Sequence, residues 1–298
     1  MTDTQNEVFK TPVNKIRLFE HGAPGSQNFK LTRKYYTEDM PDGRVKHIVQ
    51  NITDPDIVPY IPDGIGNSTD RQRIPAVLII PGGAFRRLVY NFEGEDVAKW
   101  LNSMGIAAFV LECRLPSDEH DNAEDVPLID AMRAMRVIRG RAQEFGIDEA
   151  KIGVMGFSAG GFMAALLSTA YESDVYADYK YKDEYDKLSA RPDFAVCSYP
   201  VISIDDCIEA GKRYMSEEQV LERISDSKAK ILHKYNPDKL VRPDMPPVFI
   251  CETDDDRTTL SENSVGFYMA ARKAGVSAEL HIFRTGGHGY GCGDDFAQ

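Results

Sequence analysis

Ile152-Gly153-Val154-Met155-Gly156-Phe157-Ser158-Ala159-Gly160-Gly161 is a short apolar run that turns through G-x-S-x-G into the helix-forming stretch Phe162 to Ala170. A strand, a tight turn and a helix in that order make a nucleophile elbow, which holds a serine hydroxyl exposed on a sharp corner. A serine hydroxyl attacks carbonyls poorly at neutral pH, so it needs that exposure, a neighbouring base, and donors for the developing oxyanion. Gly156 and Gly160 lack the Cβ that would meet neighbouring backbone in such a turn. G-x-S-x-G by itself is also found in ordinary turns; the apolar run before it and the Ala/Leu-rich helix pattern after it favour the elbow.

On both sides of this stretch apolar runs alternate with helix patterns. Strands are expected at Ala76 to Ile80, Ile106 to Leu111, Phe194 to Tyr199, Val248 to Cys251 and Ala278 to Phe283. Helices are expected at Glu93 to Met104, Val126 to Phe145 and Glu262 to Ala274, the last stopped by Gly275. This rhythm specifies βαβ units and an α/β fold with a mostly parallel central sheet covered by helices on both faces. Residues 1–70 carry turn signals such as Pro41-Asp42-Gly43 and a strand pattern from Val45 to Ile52, and read as an N-terminal flap or edge segment. Two stretches within 171–246 interrupt the alternation, the Tyr- and Asp/Glu-rich Tyr171 to Pro192 and the charged Ile204 to Pro246. Both read as cap-like insertions, and their tyrosines as rings packed on the core rather than a platform for sugars. The whole of 1–298 is expected to form a single domain.

The chain has 298 residues, 42% hydrophobic and 28% charged, with a formal net charge of −12. That charge disfavours phosphate backbones and anionic membranes, so neither nucleic acid nor membrane is an expected partner. No secretory leader pattern or long apolar run is visible, and the expected localisation is cytoplasmic. Cys113, Cys197, Cys207, Cys251 and Cys292 are scattered without C-x-x-C spacing and read as reduced thiols. No histidine pair has metal-ligand spacing, so neither a metal nor a cofactor is expected.

If Ser158 is a nucleophile, an acid and a histidine must follow it in that order. His288 lies in Thr285-Gly286-Gly287-His288-Gly289, a loop directly after the last expected strand. His21, His47, His120, His233 and His281 lack such a setting. The acid falls among Asp254, Asp255 and Asp256, which follow the apolar run Pro247 to Cys251. A carboxylate there fixes the imidazole tautomer and stabilises the imidazolium. For the oxyanion, Ala159 offers its N–H at the start of the elbow helix, and Pro81-Gly82-Gly83-Ala84-Phe85 offers Gly82 and Gly83. Glu93-Gly94-Glu95 reads as helix-start charge, and Asp130 with Arg133 as a structural ion pair.

The assembled set resembles the α/β-hydrolase superfamily, and within it the branch of carbohydrate acetyl esterases. The resemblance covers about residues 75–291 and rests on P-G-G-A-F at 81–85, N-F-E-G-E-D-V-A-K-W-L-N at 91–102, L-E-C-R-L at 111–115, I-D-A-M-R-A-M-R at 129–136, G-F-S-A-G-G at 156–161, S-Y-P-V at 198–201, T-D-D-D-R-T-T-L-S-E-N-S at 253–264 and G-G-H-G at 286–289. It implies a triad of Ser158, Asp256 and His288, with Asp255 second for the acid, and a serine esterase acting on short acyl esters, acetylated sugars or oligosaccharides above all. Ala84 and Cys113 depart from the pattern, where such enzymes commonly carry a further glycine and a tyrosine. The chain also stops ten residues after His288, where similar enzymes continue into a covering helix. The expectation is that another element or the partner of a homodimer covers that face, or that His288 rides on a more mobile loop. Two rival expectations are a prolyl-oligopeptidase-type serine peptidase, for which residues 1–70 are too short an accessory domain, and a noncatalytic binding protein on the same fold.

Overall fold

The computed structural model describes residues 9, 13–65, 73–118, 120–213, 215–216, 218–220 and 227–292. Cys207, one of the five thiols, has its side chain outside the described set. Among the described residues eleven strands form two sheets. The main sheet contains β1 (Ile16–Arg17), β4 (Asp56–Tyr60), β5 (Ile74–Ile80), β7 (Ala107–Glu112), β8 (Ile147–Phe157), β9 (Ala195–Ser198), β10 (Val248–Thr253) and β11 (Ala278–Phe283). Their spatial order is β1-β4-β7-β5-β8-β9-β10-β11. From β7 to β11 every pairing is parallel, whereas β4 runs antiparallel to β7 and β1 antiparallel to β4. The chain therefore has the expected α/β fold with a mostly parallel central sheet.

The central strands are buried on both faces, which is why they read as continuous apolar runs rather than alternations. All six residues of β7 are buried, and five of seven in β5. Helices α1 (Asp96–Ser103), α2 (Val126–Gly140), α3 (Ala142–Phe145) and α4 (Ala159–Ala170) follow in order, then α5 (Ile204–Lys212), α6 (Ser227–Lys234) and α7 (Ser261–Lys273). The segment expected as one helix from Val126 to Phe145 is thus two, broken at Arg141. Helix α4 is the most enclosed, with every residue from Ala159 to Thr169 buried, and it carries the elbow serine at its entrance.

A second sheet of β2 (Lys34–Asp39), β3 (Val45–Gln50) and β6 (Leu88–Val89) is antiparallel. It ties the N-terminal segment to the chain just after Pro81-Gly82-Gly83, because Leu88 and Val89 pair with Val49 and Ile48. Asn91 reinforces that join by accepting from His47 N at 2.9 Å and donating to Val45 O at 2.8 Å.

The tyrosine-rich insertion packs on the outside of α2, as its core reading expects. Tyr171 and Tyr176 are buried, and the Phe19 ring meets Tyr176 and Tyr179 edge-on. Asp130 and Arg133 do not pair with each other, which corrects the sequence reading. Asp130 binds buried Arg114 at 2.6 Å, while Arg133 reaches into the insertion to Asp183 and, at 3.1 Å, to Asp186. One turn along a helix separates residues three apart, but their longer partners approach from different sides.

Candidate active site

Strand β8 delivers Ser158 to the edge of the sheet with φ 53° and ψ −117°. An L-residue adopts a positive φ at a steric cost, about 1–3 kcal/mol when the surroundings impose it. Three backbone hydrogen bonds impose it here: Ser158 N donates to Ser198 O at 3.0 Å, while Ser158 O accepts from Phe162 N at 3.0 Å and Val201 N at 3.3 Å. The flanking glycines are obligatory. A Cβ at Gly156 would lie 2.0 Å from Gly160 O, and one at Gly160 would lie 1.9 Å from Ile80 O.

His288 Nε2 lies 2.8 Å from Ser158 Oγ, and His288 Nδ1 lies 2.6 Å from Asp256 Oδ2. The same carboxylate accepts from Thr258 N at 2.7 Å, Thr259 N at 3.0 Å and Thr259 Oγ1 at 2.9 Å. Burial works against its charge, but the His288 hydrogen bond and these amides outweigh burial and hold Asp256 below the usual carboxylate range. An ionised Asp256 requires Nδ1 to carry the ring proton, which leaves Nε2 as an acceptor aimed at the serine hydroxyl. This arrangement lets an imidazole take a hydroxyl proton as the oxygen attacks a carbonyl. Asp255 is engaged elsewhere, accepting from Gly287 N at 2.8 Å, and so ties down the loop that carries the histidine.

The oxyanion loop requires one correction. The Gly82 N–H is not available to a substrate, because it donates to Glu93 Oε2 at 2.8 Å. The Gly82 carbonyl in turn accepts from Val89 N at 2.9 Å. Since a trans peptide directs its N–H opposite to its C=O, that bond turns the Gly83 N–H away from β6. The Gly83 carbonyl accepts from Arg86 N at 3.2 Å and Arg87 N at 3.3 Å, which orients the Ala84 N–H in the same manner. Gly83 and Ala84 both line the cleft over Ser158, whereas Gly82 does not. Ala159 N–H, in the first turn of α4, has no acceptor within the helix.

Glu93 is a residue whose importance sequence reading missed. It sits in a wide π-type turn, Asn91–Glu95, which directs its carboxyl inward rather than leaving it at a helix start. It is 4% exposed. Its second oxygen accepts from Tyr199 OH at 2.9 Å, and Tyr199 OH accepts from Gly291 N at 3.0 Å. One carboxyl thus joins the oxyanion loop, the end of β9 and the chain just past His288. Burial raises its affinity for a proton, opposed by the Tyr199 and Gly82 hydrogen bonds and by His288. The glutamate's place before a helix gave no sign of this, since the signal is an unusual backbone turn.

These groups open on a cleft of ≈ 910 Å³ walled by Met40, Lys46, Phe92, Arg284 and Tyr290 among others. No described residue of either insertion within 171–246 lines this wall, where a cap would sit. The N-terminal segment takes that place, because β3 is anchored to the chain following the oxyanion loop. Among the described residues no three His, Cys, Asp or Glu side chains converge as metal ligands, and no helix is long and apolar enough to cross a membrane.

Comparison with known proteins agrees with this geometry. Residues 65–270 match the family model described as BD-FAE. An acetylxylan esterase of Xylanibacter ruminicola is 31% identical over 223 residues, 74% of this chain and 42% of the relative. Endo-1,4-beta-xylanase B of Butyrivibrio fibrisolvens is 29% identical over 269 residues, 88% of this chain and 40% of the relative. The chain spans about two fifths of the length of these curated relatives. Among solved structures, an acetyl ester-xyloside bifunctional hydrolase from Caldicellulosiruptor lactoaceticus superposes with a TM-score of 0.67 at 35% identity, covering 93% of this chain and 88% of that one. A carboxylesterase from Lactobacillus plantarum shares the fold, with a TM-score of 0.62 at 21% identity, 90% of this chain and 88% of that one. With a family match across most of its length and a solved relative covered nearly end to end, the chain belongs to the BD-FAE family of α/β-hydrolase esterases.

Proposed function

We propose that the protein is a serine carboxylester hydrolase that removes short acyl groups, acetyl above all, from a carbohydrate or similar small ester. Ser158 Oγ attacks the ester carbonyl as His288 Nε2 takes its proton, and the N–H groups of Gly83 and Ala159 receive the developing oxyanion. The tetrahedral intermediate collapses to an acyl-enzyme when His288 returns that proton to the leaving alcohol. Water then enters, loses a proton to His288, and releases the acid with regeneration of Ser158. Asp256 keeps the imidazole in the productive tautomer and stabilises its cation.

The observation that carries this reading is the hydrogen-bonded line Ser158–His288–Asp256 at the floor of an open cleft. The carbohydrate assignment draws on the acetyl ester-xyloside hydrolase and acetylxylan esterase similarities. Hydrolysis of p-nitrophenyl acetate, butyrate and octanoate, together with acetylated xylo-oligosaccharides, tests it in wild type and Ser158→Ala. Serine-dependent release of acetate from the sugar, falling with acyl length on the synthetic esters, is the expected result. Activity confined to long chains or to aminoacyl-arylamides overturns it.

A further inference from the structure

The chain carries a formal charge of −12, yet among the described residues its cleft is lined by four cations, Arg44, Lys46, Arg87 and Arg284, against two carboxylates, Asp42 and Glu93. Glu93 is buried beneath Gly82, where His288 and Lys46 feel its charge. Two of the cations are occupied by neighbours. Arg44 binds Asp42 through Nε at 2.9 Å, and Arg87 binds Glu38 at 2.5 Å. Lys46 and Arg284 make no ion pair among the described residues. Lys46 comes from β3, and Arg284 follows β11 four residues before His288, so they reach the cleft from separate segments.

Lys46 faces Glu38 across the β2–β3 ladder and feels the charge of Glu93, yet with Arg284 it leaves cations in excess above a serine nucleophile, which raises positive potential where a substrate enters. The acyl end of a bound ester must sit on Ser158 and the oxyanion amides, so the outer wall meets the alcohol. A volume of ≈ 910 Å³ holds a ligand much larger than an acetyl group. An arginine's planar fork and a lysine's ammonium both complement a carboxylate. We propose that the cleft selects esters whose alcohol carries a carboxylate, an acetylated oligosaccharide bearing a uronic acid, and that Lys46 and Arg284 meet that carboxylate. This rests on the esterase reading and narrows its substrate class.

The test compares kcat/KM for a neutral acetylated xylo-oligosaccharide, the same oligosaccharide bearing one glucuronate, and an acetylated sugar phosphate, with and without added salt. Two exposed contacts predict a preference for the uronate ester of about five- to tenfold at low ionic strength. That ratio should shrink toward one at about 0.5 M salt, where screening reaches only a few ångströms. The K46Q/R284Q double variant should bring it near one as well. Equal rates on neutral and uronate esters, a ratio that survives the double variant, or a preference for the phosphate alone overturns the inference. A calorimetric measurement separates this from failure of the esterase reading. The Ser158→Ala protein should bind the deacetylated uronate oligosaccharide about five- to tenfold more tightly than the neutral one at low salt. Failure to hydrolyse any acetyl ester removes the esterase reading, and equal binding of the two oligosaccharides removes the charge selection.

Discussion

Truncating Glu93 probes how far the oxyanion loop depends on a carboxyl that never touches substrate. In Glu93→Ala the Gly82 N–H and the Tyr199 O–H lose their acceptor in a fully buried setting. Each unpaired donor costs about 1–3 kcal/mol, partly offset because the buried carboxyl is itself expensive to hold, so a net loss of about 3 kcal/mol is expected. For a chain of 298 residues that is a fall in melting temperature of about 6 °C. Catalysis should suffer separately. Removing a whole oxyanion donor costs about 3 kcal/mol of barrier, and releasing Gly82 loosens rather than removes the Gly83 N–H beside it, so kcat should drop about tenfold with little change in KM. Glu93→Gln retains an oxygen for Gly82 and turns its amide toward the Tyr199 oxygen, so kcat should return to within about threefold of wild type. Steady-state hydrolysis of p-nitrophenyl acetate, well below the melting temperature, reads both. If Glu93→Ala melts early but keeps kcat within about twofold, the carboxyl supports the fold and does not position the loop.

Ser158→Ala should lower kcat on p-nitrophenyl acetate by about 10⁵-fold or more and abolish labelling by a fluorophosphonate, and persistent labelling would move the nucleophile elsewhere. Asp256→Asn should reduce kcat by about 10³–10⁴-fold by permitting the wrong imidazole tautomer, whereas Asp255→Asn should stay within about threefold; reversed effects in the same assay would exchange the two roles. Gly160→Ala should destabilise the protein by about 3 kcal/mol or more in urea unfolding, since its methyl would lie 1.9 Å from Ile80 O, and wild-type stability would contradict the elbow geometry. Burial pushes the Glu252 carboxyl up from 4.5 to about 8, with neighbouring Asp256 adding to the shift. Between those values the folded protein keeps a proton that the unfolded chain has lost, so stability falls as pH rises. Glu252→Gln should therefore gain about 3–5 kcal/mol over wild type by pH 8 and little at pH 4, and a gain independent of pH would refute the linkage.

Much of the sheet was legible because its strands are buried on both faces and its helices obey their own period. Ala278 to Phe283 was read with its observed bounds, and the runs at Ala76 to Ile80 and Val248 to Cys251 fall inside observed strands. What escaped was short or paired at a distance. Strand β1 has two residues, and β4 includes Pro59, which a strand tolerates only at particular positions. In the small β2-β3-β6 sheet the pattern at Val45 to Ile52 marked β3, but its partners β2, with the polar run Lys34–Asp39, and the two-residue β6 carry no apolar alternation to mark their register. In the candidate site, Ser158 and His288 were marked by local motifs, while the residue meeting the imidazole was one of three adjacent aspartates. What separates them is backbone direction: Asp256 faces inward and gathers the amides of Thr258 and Thr259, while Asp255 points to Gly287.

The Gly82 correction has the same origin. A glycine-rich loop announces that backbone must come close to something, but composition cannot say which peptide planes face the substrate. Those planes are set by hydrogen bonds from distant sequence, with Glu93 taking the Gly82 N–H and Val89 holding the Gly82 carbonyl. Val89 is held by its pairing with Ile48 in β3, and β3 also supplies Lys46 to the cleft wall. The hairpin that reads as an N-terminal flap is therefore coupled to both ends of the ester, orienting the amides at the carbonyl and presenting a charge to the alcohol. A change on β3 should consequently move kcat as well as substrate preference, whereas a change at Arg284, which lies outside this chain of contacts, should move preference alone. Comparing Lys46→Gln and Ile48→Ala with Arg284→Gln on neutral and uronate-bearing acetyl esters distinguishes the two routes, and a kcat unaffected by Ile48→Ala would show that the amides hold their orientation without the hairpin.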